Sequence, residues 1–265
     1  KVDGIHYIVG DISKRKDLKK IKKNYDYVVN LGGHVDHTNK IKTLKSHFYG
    51  SRNLAEFFSK KRINVFIQMG SSGEYGKIKS PHKEESYGNP KSPYALSKLK
   101  ASNFLINYFK KKNFPVIILR LYQAYGPKQS INRLIPITIS NCILDKTFPC
   151  TNGAQYRDFI FIDDVISAII KCLTTKKKIF GQILNLGTGK PIKVKSIIKK
   201  ISVLTKKGNP QYGKLKMRKD EILKIFPDIK KIKRTLDWRP KTSLKEGLKK
   251  TLKIYKKDHL KYSLF

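Results

Sequence analysis

The sequence is poor in the features that mark secreted, metal-binding and membrane-spanning proteins. It has only three cysteines, Cys142, Cys150 and Cys172, whose spacing matches no metal site and which cannot all pair with one another. No apolar run approaches the ~20 residues of a membrane span, and the N-terminal residues lack the apolar core of a signal peptide. These absences predict a cytoplasmic protein with free thiols, no metal and no membrane span.

Acidic residues and arginine are also scarce. The chain has 58 basic and 19 acidic residues, a formal net charge of +39, and only nine of the basic residues are arginine. Neutralising phosphates drives nucleic-acid binding, so the charge alone would allow a polyanion-binding protein. Arginine, however, is the residue favoured for bidentate phosphate and base contacts, and the lysines follow the outer faces of amphipathic helices. We therefore expect no specific nucleic-acid partner, and a basic polyanion-binding protein stays as an alternative.

Short apolar runs alternate along the chain with longer amphipathic stretches. The runs predict strands at Ile5–Val9, Tyr27–Leu31, Val65–Met69, Val116–Leu119, Asp158–Ile162 and Ile183–Leu186. The amphipathic stretches predict helices at Lys14–Lys23, Ser46–Lys61, Tyr94–Lys111, Ile131–Leu144, Asp163–Leu173, Val194–Leu204 and Leu244–Tyr255. Such alternation predicts an α/β fold with a parallel sheet covered on both faces, whose ligands bind beyond the carboxyl ends of the strands.

A tyrosine and a lysine in one predicted helix are candidates for proton transfer. Tyr94 and Lys98 are four residues apart and share a helix face. A neighbouring cation favours the ionised form of a phenol, which could then accept a proton. Ser71 ends a predicted strand and could bind the same substrate hydroxyl. An isolated pair of this kind is usually an ordinary surface pair, so the neighbouring motifs must decide.

Nine motifs stand in the order found in one protein family. They are Gly10-Asp11-Ile12, Asn30–Gly33, Gly50–Leu54, Ser71–Gly76, Pro93–Lys98, Arg120–Pro127, Arg157–Val165, Asn185–Gly189 and Leu236–Pro240. Together they resemble the extended short-chain dehydrogenase/reductase superfamily, in its branch of NAD(P)-dependent sugar-nucleotide epimerases, dehydratases and reductases, of which UDP-glucose 4-epimerase is typical. The resemblance runs almost from end to end of the chain.

The resemblance implies a two-part architecture. Residues 1–127 would form a Rossmann-like, doubly wound cofactor-binding domain. Residues 128–265 would form mainly a smaller α/β substrate-binding subdomain, with about 158–190 returning to the Rossmann sheet. It also implies a homodimer through the predicted helices Ser46–Lys61 and Tyr94–Lys111. The alternative is that their apolar residues all pack on the sheet.

The resemblance also implies roles for the catalytic trio and the cofactor site. Tyr94 would take the proton of a sugar hydroxyl, usually at C4, while Lys98 binds the nicotinamide ribose and Ser71 orients the same oxygen. NAD or NADP would be bound by Asp11, Ile12, Leu31, Gly32, Gly33, His47, Tyr94, Lys98 and Tyr122. Asn30-Leu31-Gly32-Gly33 resembles the family's small-residue turn, which is usually His-x-Ala-Ala, whereas His47 departs from the family, which usually has Asn at that position.

The substrate implied is a nucleotide-diphosphate sugar. Its contacts would come from Ser71, Ser72, Gln123, Arg133, Leu134, Arg157 and Arg218. A guanidinium fork suits phosphate oxygens, so Arg157 and Arg218 are the candidate diphosphate clamps. The alternative for each is a structural ion pair, with Asp158 and Asp220 as the partners.

Two departures narrow the expected reaction. The family's 4,6-dehydratases carry an Asp-Glu pair directly after the catalytic hydroxyl, whereas this chain has Ser72 and Gly73 there. Gln123 replaces the usual Asn, which lengthens a side chain expected to contact the substrate. We therefore expect a 4-epimerase or a 4-keto reductase, two activities that share the remaining residues.

The family's opening strand–Gly-x-x-Gly-x-x-Gly–helix–strand is not found in this sequence. In that unit, backbone N–H groups and a helix N-terminus hold the cofactor pyrophosphate. We interpret the sequence as N-terminally truncated, and we expect the chain as given to bind the cofactor weakly. The alternative is a natural, non-catalytic remnant of the fold that acts as a binding module.

Overall fold

The computed structural model describes residues 2–34, 39–175 and 179–262. Within these ranges the α-helices are α1 (Arg15–Leu18), α2 (Lys40–Leu44), α3 (Gly50–Phe58), α4 (Pro93–Lys112), α5 (Leu134–Ile143), α6 (Ile162–Thr174), α7 (Val194–Thr205), α8 (Lys230–Leu236) and α9 (Leu244–Tyr262). A π-helical turn, Lys45–Tyr49, joins α2 to α3, and a 3₁₀ turn, Ser72–Tyr75, follows the second strand.

The strands of the described residues are mostly short. They are β1 (Tyr27–Asn30), β2 (Val65–Ser71), β3 (Val116–Leu121), β4 (Gln123–Tyr125), β5 (Thr147–Cys150), β6 (Tyr156–Arg157), β7 (Phe159–Phe161), β8 (Gln182–Leu186), β9 (Ile192–Lys193), β10 (Asn209–Tyr212) and β11 (Lys224–Ile225). The chain divides into two compact units. The first comprises the described parts of Lys1–Ile78, Glu84–Leu121 and Ile169–Asn185, and the remainder forms the second.

The first unit is built on a sheet with the strand order β1-β2-β3-β8. β1 pairs with β2 and β2 with β3 in parallel, and the register sets Ser71 beside Leu121 at the carboxyl ends of β2 and β3. β2 is buried along Val65–Gly70, as expected for a parallel strand covered on both faces. An apolar cluster that includes Leu54, Phe66 and Leu105 ties α3 and α4 to this sheet.

The second unit holds several small sheets around its own apolar core. β5 pairs with β10 and β4 with β7 in parallel, and β6 lies between β11 and β9. The core brings together residues of α5, α7 and α9, among them Ile139, Ile197 and Leu248. Trp238 is buried here, and its indole N–H donates to the Ser167 hydroxyl (2.8 Å).

The α/β, Rossmann-like fold expected from the sequence is confirmed. The predicted strand Ile5–Val9 is wrong, because no strand of the described residues pairs with this segment, and Val9 is 88% exposed. The helix predicted at Lys14–Lys23 is shortened to α1 and contributes one buried residue, Leu18.

The helices expected to form a dimer interface bury much of their apolar surface within the first unit. Leu54 and Phe58 of α3 and Leu105 of α4 belong to its apolar cluster, and Phe104 and Tyr108 pack partly buried against it. This packing is what the alternative to a dimer predicts, and the dimer stays a prediction. No helix in the described part of the chain combines the length and the apolar character needed to cross a membrane.

Candidate active site

Ser71 lies where β2 ends and the 3₁₀ turn begins. Its hydroxyl accepts a hydrogen bond from the Gly73 N–H (3.1 Å), and its own N–H donates to the Glu74 carboxylate (2.8 Å). This reciprocal arrangement is a capping box, which satisfies the donors that a helical turn leaves unpaired at its start. Because the Ser71 oxygen serves as an acceptor, its hydroxyl proton is available to another acceptor.

Tyr94 and Lys98 lie in the first turns of α4, which begins at Pro93 after the Ser92 cap. Lys98 is only 5% exposed, and its ammonium donates to the Met69 carbonyl of β2 (2.7 Å). Burial lowers the pKa of Lys98 to about 8, and the negative charge of Glu74 opposes that shift. The lysine is therefore largely protonated at neutral pH.

Ser71 and Tyr94 meet at Gly73. A Cβ added to Gly73 would lie 3.3 Å from the Ser71 hydroxyl oxygen, 3.4 Å from the Ala95 Cβ and 3.8 Å from Cε1 of Tyr94. Tyr94 is half-buried, so part of its ring is open to a ligand. The strand-end serine and the helix tyrosine thus border the same small space.

The buried carboxylate of Glu74 binds the end of β2, which carries Ser71, and the helix that carries Tyr94. Glu74 is fully buried; it accepts hydrogen bonds from the Ser71 N–H, from the Ser102 hydroxyl (2.8 Å) and from Nε of Arg120 (2.9 Å). The Arg120 guanidinium also lies over the Tyr75 ring, 4.5 Å from its centroid. Both carboxylate oxygens of Glu74 therefore accept hydrogen bonds from groups of the protein itself.

Four of the residues expected to bind the cofactor border one cavity of about 530 Å³ in the first unit. Asp11, Ile12, Leu31 and Gly32 are among its lining residues. Hydrogen bonds from the Ser13 hydroxyl and, at 2.9 Å, from the Ser13 N–H hold the pKa of the Asp11 carboxyl below its usual value, so the group is ionised. Asp17 also lines the cavity, and a cavity of this volume with largely apolar walls fits part of a dinucleotide.

His47 stands between the glycine turn and Tyr94. Its ring lies edge-on to Tyr94, with centroids 5.0 Å apart, and Nε2 is 3.0 Å from the His34 carbonyl oxygen. A Cβ on Gly33 would overlap the imidazole, so only glycine permits this approach. π-helical turns such as the one that carries His47 are frequent at functional sites.

Tyr122 lies in the second unit, as do all the predicted substrate contacts except Ser71 and Ser72, which belong to the first. Tyr122 is buried, with its hydroxyl 2.9 Å from Nδ1 of His82. Gln123 is exposed in β4, and its N–H donates to the Asp158 carbonyl (3.0 Å). Arg133 caps α5 and is exposed, and Leu134 begins that helix half-buried. Their roles stay predictions.

The two predicted diphosphate clamps differ in environment. Arg157 is largely buried and forms an ion pair with Glu221, while Nη1 donates to the Tyr156 carbonyl (2.8 Å). The alternative ion pair of Arg157 with Asp158 is wrong. The Asp158 carboxylate instead accepts hydrogen bonds from the N–H and hydroxyl of Thr188 and from the Lys190 N–H. Arg218 is exposed, and the N–H of Glu221 donates to its carbonyl, so both residues share one turn.

Sequence reasoning missed the network around Glu74. The pattern Ser71-x-x-Glu74 is a capping-box signature, which could have predicted the bond to Ser71. Arg120 interrupts an apolar strand, and a buried cation needs a partner. Neither signal identifies Ser102. Among the described residues, no three His, Cys, Asp or Glu side chains are grouped so as to hold a metal ion.

Comparison with known proteins shows that the chain is similar to enzymes that act on nucleotide sugars. The chain is 31% identical to the human dTDP-D-glucose 4,6-dehydratase over 220 residues, which cover 79% of this chain and 61% of that protein. It is 30% identical to the UDP-glucuronate 4-epimerase of Thermodesulfobacterium geofontis over 261 residues, 94% of this chain and 78% of that protein. The chain thus spans about three fifths of the length of the human relative.

Solved structures agree in fold. The UDP-glucose 4-epimerase of Thermotoga maritima, solved with UDP-glucose, superimposes with a TM-score of 0.88 at 25% identity, over 94% of this chain and 84% of that one. The UDP-glucuronic acid 4-epimerase of Bacillus cereus, solved with UDP-glucuronic acid and NAD, gives 0.83 at 26% identity, over 94% and 79%. The sequence model of the NAD dependent epimerase/dehydratase family matches residues 1–187, and the chain belongs to that family.

Proposed function

We propose that the protein is an NAD(P)-dependent 4-epimerase or 4-keto reductase of a nucleotide-diphosphate sugar. One observation carries the proposal: the Ser71 hydroxyl and the Tyr94 ring border one space at Gly73, with the Lys98 ammonium buried on the same helix face. This is the set of groups needed to move the proton of an alcohol that is being oxidised.

Each of the three side chains has a distinct task in this proposal. Tyr94 accepts the proton of the sugar C4 hydroxyl, and Ser71 donates a hydrogen bond to the same oxygen. The Lys98 cation favours the phenolate form of Tyr94 and binds the nicotinamide ribose. Bound NAD supplies the hydride acceptor. For the return step, Tyr94 gives the proton back to the C4 oxygen, and the face from which the hydride returns decides between epimer and starting sugar.

The cofactor is proposed to bind along the carboxyl ends of the strands of the first unit. Asp11, Ile12, Leu31 and Gly32 line the cavity described above, Gly33 and His47 lie next to Tyr94, and Tyr122 is assigned by family resemblance alone. The solved structures of the Bacillus cereus epimerase contain NAD, which favours NAD for this chain.

The sugar nucleotide is proposed to bind through its diphosphate. Arg157 and Arg218 supply the cations, while Ser72, Gln123, Arg133 and Leu134 complete the set expected to contact the substrate. Relatives act on UDP- and dTDP-linked sugars, so these nucleotides are the first to test. A homodimer and a cytoplasmic location complete the proposal, the latter because Cys142, Cys150 and Cys172 are free.

Dehydration is excluded from the proposal on structural grounds. Ser72 and Gly73 hold the positions of the dehydratase Asp-Glu pair, and neither carries a group that titrates in the physiological range. The next carboxylate, Glu74, is fully buried and engaged by three donors. Its burial and these three bonds leave it poorly placed to act on a substrate.

The test is Tyr94→Phe in the full-length protein, assayed with UDP-glucose, UDP-glucuronate and dTDP-linked sugars in the presence of NAD. We expect kcat to fall about 10²–10⁴-fold, the range lost with a positioned proton acceptor, while NAD affinity stays within a few-fold. Tyr108→Phe, on the same helix with its hydroxyl bonded to Ser59, is the matched control. Turnover that survives Tyr94→Phe, or a parent protein inert towards all these sugars, would overturn the proposal.

A further inference from the structure

Glu74 connects three different elements of the first unit. Its two oxygens accept from the Ser71 N–H at the end of β2, from the Ser102 hydroxyl on α4 and from Nε of Arg120 on β3. Glu74 is fully buried, so each bond forms away from water and is expensive to lose. One carboxylate thus fixes the strand end and the helix relative to each other.

The contact to α4 falls on the face that carries the proposed proton acceptor. Tyr94, Lys98 and Ser102 follow one another at intervals of four residues, so they line one side of the helix. A bond at Ser102 therefore restrains rotation and sliding of that face. The second restraint on the same face is the bond from Lys98 to the Met69 carbonyl.

Glu74 also supplies negative charge beside two buried cations. Arg120 is paired with it directly, and its charge acts on Lys98 as well. The His47 ring also lies near this face, edge-on to Tyr94. Removing the charge of Glu74 would leave Lys98 and Arg120 as two buried cations without an intervening anion, which favours the neutral lysine.

We propose that Glu74 is a positioning residue that holds Ser71 and the Tyr94–Lys98 helix face in register and keeps Lys98 protonated. The proposal rests on the proposed function for its catalytic consequence. Its electrostatic part concerns the chain's own groups and does not depend on the reaction.

The first experiment is Glu74→Gln, which keeps the shape of the side chain and removes its charge. The titration of Lys98 is followed by NMR with ¹³C-labelled lysine, and the resonance is assigned by its disappearance in Lys98→Met. We expect the midpoint to fall by about one pH unit from its parent value, as for a buried group that loses an opposite charge. The alkaline limit of kcat should move to lower pH by a similar amount, because Lys98 acts as a cation.

The second experiment is Ser102→Ala, which removes the hydrogen bond between α4 and Glu74 but leaves the Glu74–Arg120 pair intact. We expect kcat to fall about tenfold with KM for the sugar nucleotide unchanged, as for a small misplacement of reacting groups. The Lys98 midpoint should stay in place. Ser97→Ala is the matched control, since Ser97 is a buried serine of the same helix whose hydroxyl donates to the Pro93 carbonyl (2.7 Å).

The outcomes separate this proposal from the proposed function. A parent-like Lys98 midpoint in folded Glu74→Gln, or a Ser102→Ala enzyme indistinguishable from Ser97→Ala, would overturn the role of Glu74 even if Tyr94→Phe is inactive. A shifted midpoint together with an active Tyr94→Phe would instead keep the electrostatic role and remove the proposed function. If Glu74→Gln does not fold, Ser102→Ala decides.

Discussion

In the described part of the chain, each unit contains one arginine–glutamate pair in which both side chains are less than a quarter exposed, and the two pairs differ in how far the glutamate offsets the burial of the arginine. In the first unit, burial acts to lower the pKa of Arg120, but Glu74 and Tyr75 outweigh it and the net pKa is raised. In the second unit, burial lowers the pKa of Arg157, and Glu221 does not offset it. The side chains of Arg120 and Glu74 are 5% and 0% exposed, against 11% and 22% for Arg157 and Glu221.

From this difference we expect the Arg120–Glu74 pair to be purely structural and the Arg157–Glu221 pair to be one that the proposed substrate can open. The Arg120 guanidinium contacts the Glu74 carboxylate and the face of the Tyr75 ring. Glu74 also accepts hydrogen bonds from Ser71 and Ser102, so both members of the pair have their partners within the protein. Arg157 has one partially exposed carboxylate, on the segment between β10 and β11. In the proposed function, the diphosphate would supply negative charge to Arg157 and would compete with Glu221 for its guanidinium.

The largest effect is expected from Arg120→Met. The substitution leaves the Glu74 carboxylate buried without its cation, and we expect a loss of about 3–5 kcal/mol in the free energy of unfolding, measured with urea. Arg52→Met, which breaks the half-exposed pair with Glu56, is the control and should cost less than about 1 kcal/mol. An equally large loss for Arg157→Met would erase the distinction between the two pairs.

The next effect concerns binding at the second pair. Arg157→Met should weaken binding of UDP, measured by calorimetry, by about 10–100-fold, since charge-assisted hydrogen bonds contribute about 1.5–3 kcal/mol. Lys199→Met, which removes an exposed cation of α7, controls for net charge and should change affinity less than about twofold. Unchanged affinity in Arg157→Met would show that this pair, too, is purely structural.

The smallest effect has the opposite sign. Glu221→Gln removes the carboxylate that competes for Arg157, so we expect UDP to bind about three- to tenfold more tightly. Asp220→Asn removes the same charge from the neighbouring, exposed position and should leave affinity within about twofold. Weaker binding in Glu221→Gln would mean that the carboxylate orients Arg157 for its ligand and does not compete with it.

The sequence predicted the long elements of the fold better than the short ones. The runs that became β2, β3 and β8 are mostly apolar and mostly buried, and the sequence of α7 has a clear helical periodicity. Strands of two to four residues, such as β6, β9 and β11, are too short to show a period. The run Ile5–Val9 has the composition of a strand, but composition does not reveal whether a neighbouring strand is there to pair with it.

Residues of the candidate site were predictable where their signal is local. Ser71, Tyr94 and Lys98 were predicted from spacing and order, whereas the bond between Ser71 and Glu74 was missed although the capping-box pattern carries a signal for it. The partner of Arg157 was not predictable, because the nearest acid in sequence, Asp158, follows it in extended chain, where successive side chains point to opposite sides. Glu221 lies 64 residues further on, a separation that only the folded chain resolves.

The contact between His47 and Gly33 links two positions at which this chain differs from the residues usual in the family. Members of the family usually carry alanine at the position of Gly33 and asparagine at that of His47, and here both have changed. Because a methyl group at 33 would overlap the imidazole, the histidine is compatible only with glycine. In a lineage that began with the usual pair, the glycine has to arise before the histidine or together with it, so relatives with histidine at position 47 are expected to have glycine at position 33.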